Sequence, residues 1–292
     1  MSLEVFHRIG ELRRALALRR ARGQTIGFVP TMGALHAGHG RLIETARGEC
    51  GAVVVSIFVN PIQFNQQEDF ARYPRTLEAD VEFCRRLGVD LVFAPSETEM
   101  YPSPLRTFVH VERLTDHLCG AYRPGHFRGV ATVVMKLFMI VQPDRAYFGE
   151  KDAQQLAVIR RMVEDLNVPL QIVAVPTVRE PDGLALSSRN SRLDPGQRRA
   201  APVLFRGLEA ARRTVENGLR DAASVKRAAE AIFAQEPEVR IEYLEIVDPE
   251  EMQPVERIRG PVRIAVAAWL GETRLIDNLL IVPPAIEGSP GS

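Results

Sequence analysis

Two histidines three positions apart, His36 and His39, stand in the string PTMGALHAGH at residues 30–39. The apolar run from Thr25 to Val29 reads as a buried strand, a Pro/Gly-rich turn follows, and His-x-Gly-His opens a helix. Residues i and i+3 share a helix face, so both imidazoles can address one object. That object also meets the free N–H groups and the positive dipole end of the helix. Gly38 leaves the backbone bare where a ligand must come close. A strand, a bare helix start and two imidazoles make a triphosphate site that uses neither a Walker loop nor many lysines. They point to chemistry at the α-phosphate of a nucleotide, where imidazoles offset the charge on departing pyrophosphate. The same pair also reads as capping or surface histidines. A metal pair is the weaker alternative, because no H-E-x-x-H and no third Cys or His at ligand spacing accompanies it.

Four further blocks carry groups suited to such a site. Asn60 and Gln63 leave a strand with two amides, which both donate and accept and so suit a small polyhydroxy acid; an Asn-Pro turn ending the strand is the plain alternative. Arg123, in the basic loop 121–129, can clamp a carboxylate or phosphate, or be solvated surface. At Gly149-Glu150-Lys151-Asp152 a strand ends and a helix opens. Lys151 is placed to meet phosphate as a point charge and Asp152 to bond a ribose hydroxyl, with Gln155 one turn on along the same face. Ser187, Ser188 and Arg189 form a loop grip for phosphate, though a lone Ser-Ser-Arg is usually only a loop.

The elements that must position these groups alternate. Strand-like runs at 25–29, 52–58, 90–94, 107–111, 145–148 and 170–175 are separated by amphipathic stretches near 39–48, 76–88, 129–141 and 152–166. Continuously apolar strands such as Ala52–Phe58 belong to a sheet covered on both faces. The alternation predicts an α/β, Rossmann-like, doubly wound parallel sheet in an N-terminal domain over 1–176, with the polar motifs just past the strand ends. From 177 to 282 the pattern changes. A long helix from Leu193 to Gly218, starting at Asp194-Pro195, and a second from Asp221 to Gln235 precede strands at 241–247, 262–269 and 274–281. This predicts a smaller α+β domain with an antiparallel sheet. Carrying Ser187–Arg189 near the boundary, it is suited to act as a lid. Residues 283–292, rich in Pro, Gly and Ser, are expected to be disordered.

The 292 residues carry 37 basic and 37 acidic side chains, and the zero net charge argues against a nucleic-acid surface. Cys50, Cys84 and Cys119 are odd in number and form no C-x-x-C, so buried free thiols in a reducing cytoplasm are expected. The N-terminal stretch lacks an apolar signal core and no run is long enough to span a bilayer; a cytoplasmic protein with no membrane partner is the expectation.

Taken together and in order, PTMGALHAGH (30–39), NPIQF (60–64), YPRT (73–76), APSETEMYP (94–102), RPGHFRGVATVV (123–134), YFGEKDAQQL (147–156) and ALSSRN (185–190) resemble the pantoate–β-alanine ligase family over about the first 280 residues. The His-x-Gly-His element alone also fits the wider nucleotidyltransferase and class I aminoacyl-tRNA synthetase superfamily. The resemblance implies a ligase that joins D-pantoate to β-alanine through a pantoyl adenylate, with ATP as substrate and release of pyrophosphate and AMP. It implies that His36 and His39 hold phosphate, that Lys151 with Ser187, Ser188 and Arg189 grips the triphosphate, and that Gly38 and Leu186 belong to the same ATP site. Gly149 and Asp152 would meet the ribose and backbone around Val178 the adenine. Gln63 and Gln155 would hold pantoate hydroxyls, Met32 would border both ATP and pantoate, and Asn60, Arg123 and Tyr73 would line that cavity. Mg²⁺ would come with the ATP phosphates and not from a protein-built metal site, and the protein would be a homodimer. Three departures stand out: Gly40-Arg41 after the second histidine, the polar stretch 65–67, and Leu186 where some members have Met. Other adenylyltransferases would not need the Asn60, Gln63 and Gln155 amides. A tRNA synthetase would need a Lys-rich loop, and a nucleotide sensor would be expected to lose some of His36, His39, Lys151 and Arg189.

Overall fold

Strands that are apolar at every position need cover on both sheet faces, and the first half of the chain provides it. A computed structural model describes residues 3–65 and 67–284. Gln66, within the polar stretch 65–67, and residues 285–292 of the expected disordered tail lie outside the described residues. In chain order the elements are β1 (Glu4–Phe6), α1 (Ile9–Ala21), β2 (Ile26–Thr31), α2 (Ala37–Glu49), β3 (Ala52–Ile57), α3 (Gln67–Arg72), α4 (Leu77–Arg86), β4 (Leu91–Phe93), α5 (Glu97–Met100), α6 (Leu118–Tyr122), α7 (His126–Val141), β5 (Arg145–Gly149), α8 (Ala153–Asp165) and β6 (Gln171–Val175). There follow α9 (Pro195–Ala200), α10 (Val203–Glu216), α11 (Ala222–Phe233), β7 (Val239–Val247), β8 (Val262–Leu270) and β9 (Thr273–Ile281).

Six strands form one parallel sheet in the order β1-β4-β3-β2-β5-β6. From β2 the chain winds outward through β3 to β4, then returns to β5 on the other side of β2. The order therefore reverses between β2 and β5, and in such sheets the crevice beyond the carboxyl ends at the reversal takes ligands. β2 keeps register with β3 from Ile26 to Thr31, but with β5 only at Gly27 and Phe28. Pro30 lies past that last β5 pair, where its missing N–H costs no ladder bond on that side. The two faces of β2 are buried differently. Val29 packs with Leu42, Ile43 and Ala46 of α2, whereas Phe28 meets Phe138 of α7 edge-on, ring centroids 6.4 Å apart.

The chain forms two compact units. The first runs to Thr115 and includes Gly120–Val178 and Leu186–Ser188. The second comprises Asp116–Cys119, Arg179–Ala185 and the chain from Arg189 onward. The second has its own core, in which Leu204, Leu208, Ala211 and Val215 of α10 pack with Val225 and Ala229 of α11 and with Ile264, Val266 and Ala268 of β8. Its sheet is antiparallel, β7-β8-β9. Cys50, Cys84 and Cys119 are free thiols, the latter two buried.

Three segments differ from the sequence reading. Residues 107–111 alternate like a strand but pair with none among the described residues; instead the Val109 N–H donates to Thr132 Oγ1 at 3.0 Å. The expected long helix from 193 to 218 is two helices, broken at Ala201-Pro202, because Pro202 has no N–H with which to continue the ladder. Its start is as read: Asp194 accepts from the N–H groups of Gly196 and Gln197. Finally, β1 and α1 precede the first expected strand. β1 has only three residues, and α1 buries a narrow stripe of Leu12, Leu16 and Arg19 in a charged sequence.

Candidate active site

Beyond β2 the backbone is fastened before it reaches the histidines. Asp80 of α4 is only 3% exposed. Its carboxylate accepts from Ala34 N (3.0 Å), Leu35 N (2.8 Å) and Thr76 Oγ1 (3.1 Å). The loop thus hangs from a helix some forty residues on, with Ala34 held at a left-handed φ of 51°. At its end His36 is the N-cap of α2. Gly38 N donates to His36 Nδ1 at 3.1 Å, and His36 N donates to His39 Nδ1 at 3.3 Å. The pair is therefore a capping box built from imidazoles. The capping reading is met by the Nδ1 atoms of both rings, and the anion-site reading concerns their Nε2 atoms.

That geometry fixes protonation. With both Nδ1 lone pairs engaged by backbone N–H groups, a neutral ring must carry its proton on Nε2. Burial, and next the charge of Lys151, lower the His36 pKa to about 4. Burial, and next His36, lower that of His39 to about 3. At neutral pH the site therefore presents two neutral Nε2–H donors and not two cations. Gly38 has a reason the sequence did not reveal: a Cβ there would stand 2.8 Å from Cε1 of the His36 ring. The glycine makes room for the folded-back imidazole. Gly40 likewise packs under α4, where a Cβ would come 3.3 Å from the Phe83 ring.

β5 delivers the cation. After Gly149 comes a single 3-10 turn, Glu150–Asp152, and only then α8, so Lys151 and Asp152 precede the helix and do not lie within its first turn. Lys151 Nζ lies 3.8 Å from Asp152 Oδ2. The charges of both act on His36 and His39, so the structure brings these four residues together at the ends of two adjacent strands. Gln154 and Gln155 part company. Gln154 is buried with its amide bonded to Leu114 O and Gly120 N, leaving the half-buried Gln155 as the candidate.

A second cluster hangs on Met32. Gln63 Nε2 donates to Met32 Sδ at 3.0 Å, and its Oε1 accepts from Asn60 Nδ2 at 2.9 Å. Asn60 is 1% exposed. Its Nδ2 also donates to Gly129 O at 3.3 Å, and its Oδ1 accepts from Tyr101 at 2.8 Å. Arg123 donates to His126 Nε2 at 3.1 Å, so the His126 proton is on Nδ1 and donates to Gln63 O at 2.8 Å. Tyr73 is buried edge-on to Phe64, 5.8 Å between centroids. Asp80, Tyr101, His126 and Gly129 were not singled out by residue type. Only the tertiary contacts identify them, although the last three lie inside the matched strings.

Residues 178–189 meet the site only in part. Leu186 N donates to Val178 O at 3.0 Å, and a Cβ built on Gly38 would lie 3.9 Å from Leu186 Cβ. Leu186 therefore flanks the start of α2, and Ser187 and Ser188, which follow it, are half-buried in the same unit. Arg189 belongs to the second unit and sits in the 3-10 turn Ser188–Arg192. The donor set around the histidine cap is rich in nitrogen, and the Asp152 carboxylate faces Lys151. Such a set suits phosphate and not a bare hard cation, which needs several oxygen ligands.

Residues 4–280 match the family described as pantoate-beta-alanine ligase. The pantothenate synthetase of Moorella thermoacetica is 55% identical over 279 residues, covering 96% of this chain and 99% of that protein. Among solved structures, the pantothenate synthetase of Thermus thermophilus superimposes with a TM-score of 0.91 at 52% identity, covering 96% of this chain and 100% of that one. The pantoate-beta-alanine ligase of Francisella tularensis, complexed with beta-gamma ATP and beta-alanine, superimposes at 0.78 and 35% identity, covering 96% and 98%.

Proposed function

The chain belongs to the pantoate–β-alanine ligase family and is an ATP-using ligase of pantothenate biosynthesis, and from that premise we propose how its side chains divide the work. The observation that carries the reading is the imidazole capping box, two Nε2–H donors under the charge of Lys151 where β2 and β5 end.

Pantoate carboxylate is already a nucleophile, so the first step needs alignment and charge stabilisation and no activating base. Its oxygen bonds to the α-phosphorus of ATP, the bond to the bridging oxygen breaks, and pyrophosphate leaves. His36 and His39 donate from Nε2 to the phosphate oxygens, strengthening as charge develops on the leaving group. Lys151 adds a full charge. Ser187, Ser188 and, by continuity of the chain, Arg189 complete the phosphate grip. Asp152 and Gly149 take the ribose. Val178 offers the adenine its carbonyl, which keeps one lone pair after Leu186 N is served. Gln63, Gln155 and Met32 hold pantoate, with Asn60, Arg123 and Tyr73 around them. In the second step the amine of β-alanine attacks the acyl carbon, the C–O bond to AMP breaks, and a proton leaves the new amide nitrogen. Mg²⁺ would accompany ATP and would supply screening of the phosphate charge. We further assign the protein to the cytoplasm, as a homodimer with a small C-terminal domain serving as lid.

Pyrophosphate and AMP release from ATP·Mg²⁺ test this directly. With D-pantoate alone, one stoichiometric burst of pyrophosphate is expected, and continuous AMP release only once β-alanine is added. Release that ignores pantoate would overturn the substrate assignment.

A further inference from the structure

Gln63 can show a substrate either end of its amide, and something must choose. The choice traces back to the carbonyl of Gly129, which can only accept. Asn60 must turn its Nδ2 toward that carbonyl, because the flipped amide would set two oxygens against each other. Its Oδ1 then faces Tyr101, whose O–H donates. Its second Nδ2 hydrogen faces Gln63, which must answer with Oε1. The Gln63 Nε2–H₂ group is left beside the Met32 sulfur. Both polar atoms of the side chain of this nearly inaccessible asparagine are thereby used. Tyr101 is itself held in place, its ring 6.0 Å from that of Phe58 and 5.5 Å from Lys136 Nζ. Burial, and next Glu97, raise its pKa, so it stays protonated and remains a donor.

We infer that Tyr101 is a positioning residue for pantoate: through Asn60 it holds the Gln63 amide with Nε2 toward the substrate, so that the site reads a pantoate oxygen by donating to it. The inference rests on the reading above that Gln63 contacts pantoate. Removing the Tyr101 hydroxyl leaves Asn60 Oδ1 without that donor, so that the long 3.3 Å bond to Gly129 O must hold Asn60, and through it Gln63, less firmly.

The test is calorimetric titration of pantoate in the presence of a non-hydrolysable ATP analogue, so that inactive variants stay readable. Tyr101→Phe should weaken pantoate roughly ten-fold, as expected for a lost buried hydrogen bond, with the affinity for the analogue unchanged. In a Gln63→Ala background the same substitution should change pantoate affinity less than two-fold, because its effect runs through Gln63. An equal loss in both backgrounds, or an equal loss for the ATP analogue, makes Tyr101 a general packing residue and overturns the inference. If Gln63→Ala alone leaves pantoate affinity intact, the contact between Gln63 and pantoate is wrong and the inference falls with it.

Discussion

Under the proposed function each imidazole has two separable tasks, the cap its Nδ1 makes and the donation proposed for its Nε2, and substitution can divide them. Asparagine reproduces the Nδ1 acceptor and lacks Nε2–H. His39→Asn should therefore keep the cap and its melting temperature, yet slow pantoate-dependent pyrophosphate release by about two to three orders of magnitude, the range seen when a donor to developing charge is removed. His39→Ala loses the cap as well and should cost about 1 kcal/mol in denaturant unfolding. Equal rates for His39→Asn and the parent enzyme would remove Nε2 from the mechanism. The lowered pKa values carry a second consequence. An unfolded histidine titrates near 6.5, whereas His36 and His39 take up protons in the fold only near about 4 and about 3. Between these values the unfolded chain binds more protons, so this contribution to stability is full above 6.5 and is lost as pH falls toward about 4 for His36 and about 3 for His39. Melting of the ligand-free protein from pH 7 to pH 4.5 should show this decline, and the double variant His36→Asn/His39→Asn should show a flatter one. Parallel curves would mean that the rings are not held neutral. The histidines were legible in the sequence because i, i+3 spacing and the preceding strand are local facts. Asp80 was not: its partner Leu35 is 45 residues away, and a lone aspartate in a charged helix carries no mark of that role.

At the scale of elements, the close approach of α7 to the turn 61–63 shapes the amide cluster. A Cβ on Gly129 would stand 2.4 Å from Ile62 O and 2.7 Å from Gln63 Cα, both backbone atoms that cannot swing aside as a side chain does. Gly129→Ala must push the turn away and stretch the bond from Asn60 to the Gly129 carbonyl. We expect destabilisation of about 1–3 kcal/mol, typical of overpacking, and a weakened pantoate Km, read together from urea unfolding and steady-state kinetics. A variant with unchanged stability and Km would show that the turn is looser than its packing. Elements with apolar runs or strong periodicity, such as β3 and α11, were readable from the sequence. Those resting on a few residues were not. β1 is three residues pairing with β4 at Leu91–Phe93, and the alternation of 107–111 promised a strand that no neighbour among the described residues completes. The break at Pro202 was written in the sequence and outweighed by the apolar periodicity around it; the missing N–H prevails because no tertiary contact replaces a ladder bond inside a helix.

At the scale of the molecule, the two units carry separate cores, one around Val29, Ile43 and Val55 and the other around Leu208, Val225 and Val266. In the sequence the pattern shifts from parallel alternation to helices followed by strands past residue 176. The interleaving did not show: Leu186–Ser188 group with the first unit while Arg179–Ala185, a hairpin closed by the bridge between Arg179 and Ala185, group with the second. A bound ligand stabilises only those openings that release it, by mass action. If ATP and pantoate engage the proposed residues, hydrogen exchange should slow most at 32–39, 60–63 and 149–152, and at 186–189. Amides of β8 and β9, in the core of the second unit, should exchange at nearly the ligand-free rate. Equal slowing across 262–281 would show that the two cores open together, and protection confined to the second unit would place the nucleotide away from the histidine cap.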